Sequence, residues 1–214
     1  MKPRWWDEAA AELARRDRVM RKLVRRYPGA SLKRRSDAFT ALARAITGQQ
    51  ISVKAADAIW RRFAAAAAPE QARRAFPKLD PARVVALAPE AFRAIGYSER
   101  KAMYVKDLAA HFLSGKLDPR TWKRLDDEAL IAALVDVRGI GRWTAEMFLM
   151  FHELRPDVLP VDDLGLRKAV VQHYGGGRAM SVEAIRAAGE AWRPWRSAAT
   201  WYLWRALDPV AIEY

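Results

Sequence analysis

There is no cysteine among the 214 residues, which excludes disulfides, thiolate catalysis, cysteine-ligated zinc and a cysteine-held iron–sulfur cluster, and which suits a reducing compartment. Histidine is nearly as scarce: His111, His152 and His173 stand too far apart to show ligand spacing, and this argues against a metalloenzyme. No apolar run approaches the roughly 18 residues of a membrane span, and Asp7 and Glu8 stand where a signal peptide needs its apolar core. The expectation is a cytoplasmic protein, nucleoid-associated if bacterial, with no membrane partner. β-branched residues are sparse and no stretch alternates with a period of two, so a sheet is not expected. Acids are the minority charge: 38 Lys+Arg against 25 Asp+Glu leave +13, an excess that favours a polyanionic partner.

Alanine, leucine and arginine dominate instead, and their local preference is helical. The reading is an all-α protein, with apolar content sufficient for a sizeable core. Trp5 to Tyr27 reads as one long helix with a basic outer face, ended by Pro28 and Gly29. Ser36 is placed to cap a second helix carrying Phe39, Leu42, Ala43 and Ile46, and a third runs from Ser52 to Phe63. Asp80-Pro81 and Pro89 mark helix starts, Gly96 a stop, and Ser98 caps a helix ending at Gly115. Asp126 to Asp136 is a short helix. The turn Val137-Arg138-Gly139-Ile140-Gly141 then opens into a helix reaching about His152, and a helix from Asp163 to Tyr174 and two last helices follow.

Glycines at 139 and 141 suit a backbone that takes positive φ or approaches another group closely, and the helix after them presents backbone N–H groups at its positive end. An anion fits there. Two glycines alone would be read as a plain αα-hairpin turn; the charge and the surrounding arginines shift the reading towards phosphate. Such contacts position a nucleic acid without reading its sequence. Asp162 and Asp163 follow Pro160 at a helix start, where a carboxylate caps backbone N–H groups. Nine tryptophans are present, and Trp60 and Trp122 are read as core.

Two blocks, Leu134-Val-Asp-Val-Arg-Gly-Ile-Gly-Arg-Trp-Thr-Ala145 and Leu159-Pro-Val-Asp-Asp-Leu-Gly-Leu-Arg-Lys168, resemble the helix-hairpin-helix, Gly/Pro-rich loop and aspartate of DNA base-excision glycosylases. Gly48-Gln-Gln-Ile-Ser-Val-Lys54 and Trp192-Arg-Pro-Trp-Arg-Ser197 resemble the DNA-3-methyladenine glycosylase II (alkylpurine) branch in particular, in a compact form without the extra N-terminal domain of longer bacterial members.

The resemblance implies a two-lobed helical bundle with its active site in the cleft between lobes: residues 38–155 with the helix-hairpin-helix at about 126–152, and 1–37 with 156–214 carrying the catalytic acid. It matches Asp163 to the catalytic aspartate, and Trp204, Trp143 and Met147 to the base pocket, where a cationic alkylated base would stack on indole. Met147 stands where another member has an aromatic. Gln50 is matched to the wedge that fills the hole left by a flipped base, and Gly139, Gly141, Arg142 and Thr144 to the DNA contact of the hairpin. The carbonyls of Val135, Val137 and Ile140 are matched to a structural sodium or potassium ion; no cofactor is required.

An aspartate carboxylate is ionised at neutral pH and can stabilise an oxocarbenium-like sugar or orient a water. A purine alkylated at N3 or N7 already carries positive charge, so one carboxylate suffices where ordinary glycoside hydrolases need two. Lyase members have a nucleophilic lysine where this chain has Trp143, which argues for hydrolysis without strand cleavage. The expected partner is double-stranded DNA containing damaged bases, bound by a monomer. The alternative from another class is a DNA-binding module that keeps the hairpin and has lost catalysis.

Overall fold

The computed structural model describes residues 2–207 apart from 72, 73, 75 and 76, and the described residues form helices and turns with no strand. In chain order the helices are α1 (Trp6–Arg16), α2 (Arg18–Arg26), α3 (Ala38–Gly48), α4 (Val53–Ala67), α5 (Pro81–Ala86), α6 (Pro89–Ile95), α7 (Glu99–Leu113), α8 (Asp127–Val135), α9 (Arg142–Phe151), α10 (Leu164–His173), α11 (Val182–Glu190) and α12 (Arg196–Leu207). They divide into two compact units, one of Met1–Arg34 with Leu149–Tyr214 and one of Arg35–Phe148. The second boundary falls inside α9.

In the unit built from both ends of the chain, α12 packs on α1, α2 and α10. Its core gathers Trp6, Leu13, Met20, Leu166, Val170, Ile185, Trp192, Trp201 and Tyr202. Trp6 meets Trp201 edge-on at 5.2 Å, and Trp5 stacks near Trp195 at 5.9 Å. Most of the tryptophan abundance is therefore ordinary core, each fully buried aromatic contributing about 1.5–3 kcal/mol or more.

The expected single helix from Trp5 to Tyr27 is two. Asp17 breaks it with an extended backbone, φ −127° and ψ 123°, and turns its carboxylate onto the chain: Oδ1 accepts the N–H groups of Val19 and Met20 at 2.7 and 3.0 Å. The Tyr174 hydroxyl donates to Oδ2 at 2.8 Å. Aspartate is a poor interior residue and a good cap, and the distant tyrosine reinforces the break.

In the central unit α7 packs against α3, α5 and α6, and α4 packs against α3 and α6. Phe63, Phe92 and Tyr97 form one aromatic cluster, and Trp122 is edge-on to both Phe112 and Phe148. Trp60 and Trp122 are buried as expected. The cap of α3 is Asp37 rather than Ser36: its Oδ1 accepts the Thr40 N–H and its Oδ2 the Thr40 hydroxyl. The third helix runs past Phe63 to Ala67 because the alanines that follow prolong it. Asp80, Ser98 and Asp126 cap α5, α7 and α8 as their positions suggest.

Candidate active site

The hairpin between α8 and α9 is closed by the Ile140 N–H, which donates to the Val137 carbonyl at 3.1 Å. Gly141 immediately precedes α9, its carbonyl accepting the N–H of Ala145 at 3.0 Å. Gly139 has φ +85°, and a Cβ there would collide with the ring of Tyr104 from α7, so this position requires glycine for both conformation and space. The same helix holds the turn from a second side: Asp107 Oδ2 accepts the Arg138 N–H at 2.8 Å.

Arg142 behaves differently from a free phosphate-binding arginine. Its guanidinium makes a two-pronged pair with Glu128 at 2.9 and 2.5 Å and reaches Glu146 at 3.0 Å. Hydrogen bonding to Glu128 holds its pKa above the ordinary arginine value. Thr144 and Met147 are buried, while Trp143 is 37 % exposed. What the first turn of α9 offers an anion is its backbone.

Residues 49–51 connect α3 to α4. Gln50 is exposed and has φ +59°, a left-handed conformation that costs a side-chain-bearing residue about 1–2 kcal/mol. Ile51 beside it is also exposed, and Ser52 caps α4.

Asp163 is the N-cap of α10. Its Oδ1 accepts the Leu166 N–H at 2.6 Å and the indole N–H of Trp204 at 2.7 Å. Trp204 is 6 % exposed, and Phe151 at the end of α9 stacks parallel to it, centroids 5.9 Å apart and planes 7° apart. Gly165 lies beneath the bond: a Cβ there would stand 3.1 Å from Asp163 Oδ1 and 3.2 Å from the Trp204 ring. Asp162 is exposed and pairs with Arg167 at 2.7 Å. The structure thus brings Asp163 and Trp204 together and gives the two neighbouring acids different partners.

The loop entering this helix is pinned from α12. Ser197 Oγ donates to the Arg155 carbonyl at 2.6 Å and accepts the Val158 N–H at 3.0 Å, while its own N–H meets the Pro156 carbonyl at 3.0 Å. Arg196 clamps Asp157 at 2.7 and 3.0 Å. Sequence reasoning missed Phe151, Gly165 and Ser197 as parts of the site. The one usable signal was a glycine in the first turn of α10, where only close approach explains the loss of helix propensity.

Just after α9, His152 is buried, and desolvation, aided by the charge of Arg34, pushes its pKa down to about 3. Among the described residues no group of three or more His, Asp or Glu side chains is placed to hold a metal, and no helix is long and apolar enough to cross a membrane.

A family model described as HhH-GPD superfamily base excision DNA repair protein matches residues 43–194. The DNA-3-methyladenine glycosylase 1 of Schizosaccharomyces pombe is 36 % identical over 86 % of this chain and 78 % of its own length. A solved 3-methyladenine DNA glycosylase of the same yeast, in complex with abasic DNA, superposes with TM-score 0.78 at 31 % identity, covering 92 % of this chain and 95 % of the other. The DNA-3-methyladenine glycosidase of Bacillus halodurans superposes with TM-score 0.81 at 32 % identity, covering 94 % and 89 %. With an all-helical fold and a glycine hairpin opening a helix, the chain belongs to the HhH-GPD superfamily of base excision DNA repair proteins, among its 3-methyladenine DNA glycosylases.

Proposed function

We propose that this chain is a monofunctional glycosylase that flips alkylated purines of the 3-methyladenine and 7-methylguanine type out of double-stranded DNA and hydrolyses their N-glycosidic bonds. A purine methylated at N3 or N7 leaves with the electron pair of the bond, neutralising its own positive charge, so no general acid is needed. The sugar left behind is oxocarbenium-like. Asp163 supplies the opposing negative charge and orients the water that adds to C1′, the water's proton passing to that carboxylate and from it to solvent.

The observation that carries this reading is the capture of Asp163 Oδ1 between the Leu166 and Trp204 N–H groups. A carboxylate accepting two N–H bonds is fixed before substrate arrives, and fixed charge contributes more to catalysis than charge that must reorganise. Trp204 then has a double part, holding the acid and bordering the base. The parts of Trp143 and Met147 in the base pocket rest on the resemblance of their motif.

Gln50 is proposed as the wedge. A turn needing left-handed backbone is usually given glycine or asparagine, and a glutamine kept there at a cost in strain implies that its side chain is used. The backbone of Gly139, Gly141, Arg142 and Thr144 is proposed to receive phosphate. The carbonyls of Val135, Val137 and Ile140 are proposed to hold a sodium or potassium ion. Val137 gives one lone pair to Ile140 and keeps the second for an ion. No step of the reaction passes through that ion, and no cofactor is required. The protein is proposed to act as a monomer in the cytoplasm, with the DNA it repairs.

Methylated duplex DNA incubated with the protein, with released bases identified by mass, tests the reading. Free 3-methyladenine and 7-methylguanine are expected; DNA binding with no released base would leave only the non-enzymatic module. Borohydride should trap no covalent protein–DNA adduct, since Trp143 replaces the lysine a lyase would use.

A further inference from the structure

Gln49, next to the proposed wedge, does not face solvent with its neighbour. Its carboxamide Nε2 donates to the carbonyl of Gly139 at 2.9 Å across 90 residues of sequence. The acceptor lies in the hairpin turn that α7 already holds through Asp107 and Tyr104. The same helix also holds the other partner: Lys101 Nζ donates to the Thr47 carbonyl at 2.8 Å, at the C-terminal end of α3. Desolvation there lowers the Lys101 pKa from its ordinary value. Thr47 in turn bonds the Ala43 carbonyl and the buried Tyr97 hydroxyl. The turn at 49–51 and the turn at 138–141 are therefore both anchored on α7, and Gln49 is the direct strut between them.

We propose that Gln49 is a positioning residue that locks the base-displacing turn to the phosphate-gripping hairpin, so that the wedge enters the helix at a fixed distance from the anchored backbone. This rests on the reading of Gln50 as wedge. Flipping needs the wedge to push against something. A wedge on a turn that swings independently loses its thrust as the turn recoils, whereas one tied to an anchored phosphate transmits it. The left-handed Gln50 conformation is held on one side by Gln49 and on the other by the Ser52 cap. Removing the strut leaves the hairpin, the pocket and Asp163 in place and loosens only the wedge.

The test is single-turnover excision of 7-methylguanine from two duplexes, one with cytosine opposite the lesion and one with a tetrahydrofuran abasic analogue there. Gln49→Met keeps length and volume but has no donor; Gln49→Glu puts an acceptor against the carbonyl. Loss of one hydrogen bond corresponds to a drop of about tenfold opposite cytosine. Opposite the abasic analogue, where no pair has to be opened, the drop is expected to stay under about threefold. The dissociation constant for undamaged duplex is expected to change less than about threefold, since phosphate contacts dominate it. An equal loss on both duplexes, or a dissociation constant that weakens in step with the rate, overturns the proposal. Gln50→Ala, measured alongside, separates the two layers. No loss opposite cytosine with Gln50→Ala removes the wedge reading itself, while a loss with Gln50→Ala and none with either Gln49 variant removes only the strut.

Discussion

Two helix starts in this molecule solve the same electrostatic problem in opposite ways. Both α9 and α10 present backbone N–H groups at a positive end. At α9 the preceding residue is Gly141, which has no side chain to offer, and Arg142 is committed to Glu128 and Glu146. At α10 the preceding residue is Asp163, which supplies its own anion and has a second donor, the Trp204 indole, brought from 41 residues away. A helix start preceded by glycine suits an anion that comes and goes, such as a backbone phosphate. A self-capped start with a second donor suits an anion that must already be in place, such as one that stabilises a transient cation. The difference teaches that the cap residue, more than the helix itself, decides what its positive end is for.

The sharpest way to break this contrast is Asp163→Asn. Asparagine caps a helix as well as aspartate, so the melting temperature should stay within a few degrees while base release falls by at least about 10²- to 10³-fold. Retained release by Asp163→Asn, with Asp162→Asn inactive, would move catalysis to the neighbouring acid. Trp204→Phe comes next. It keeps an aromatic ring to stack on Phe151 and deletes only the N–H, and a hydrogen bond to a charged group corresponds to a loss of about ten- to a hundredfold. Wild-type excision rates in that variant would show that Asp163 does not need its second donor.

Smaller effects follow on stability. His152 is held neutral down to about pH 3 by burial, while in the unfolded chain it takes a proton near pH 6.5. Between those values the unfolded state binds the extra proton, so stability falls as pH drops below about 6.5. Between pH 7 and pH 5.5 the loss is about 1 kcal/mol. Desolvation lowers the His173 pKa too, and it acts in the same direction. Melts at the two pH values, compared with His152→Gln, check this; the variant should lose less on acidification. The smallest expected effect is that of Arg142→Ala. Its pairs are partly exposed and contribute about 1 kcal/mol or less, and the slope of DNA affinity against salt should change by less than about half a unit while the guanidinium stays on Glu128 and Glu146. A drop of a full unit would make Arg142 a phosphate ligand.

Much of this was legible without coordinates, and the reason is local. Ser52, Asp80, Ser98, Asp126 and Asp163 cap helices through contacts within three residues, and the hairpin glycines are adjacent in sequence. What escaped depends on distance. Asp17 breaks a helix partly because Tyr174 waits for it, and Gly165 is small because Trp204 crosses above it. Phe151 reads as one more apolar residue of α9, and nothing in its spacing reveals the indole it covers. Gln49 and Gln50 look alike in sequence; one folds back to Gly139 while the other stands exposed in strained backbone.

The unit that holds Asp163 is made from the first helices and the last, and this has a consequence in time. A ribosome delivers α1 and α2 with Trp6 and Met20 well before α12 exists to cover them. The central unit, contiguous from Arg35 to Phe148, has all its own partners by the time α9 emerges. Asp163 itself is translated some forty residues ahead of Trp204, and the loop before it is translated ahead of Ser197 and Arg196, which pin it. Domains form as their segments become available. The hairpin is therefore shaped early in synthesis, and Asp163 is locked in place only by α12, so with the roles proposed above an incompletely made chain would hold DNA before it could release a base.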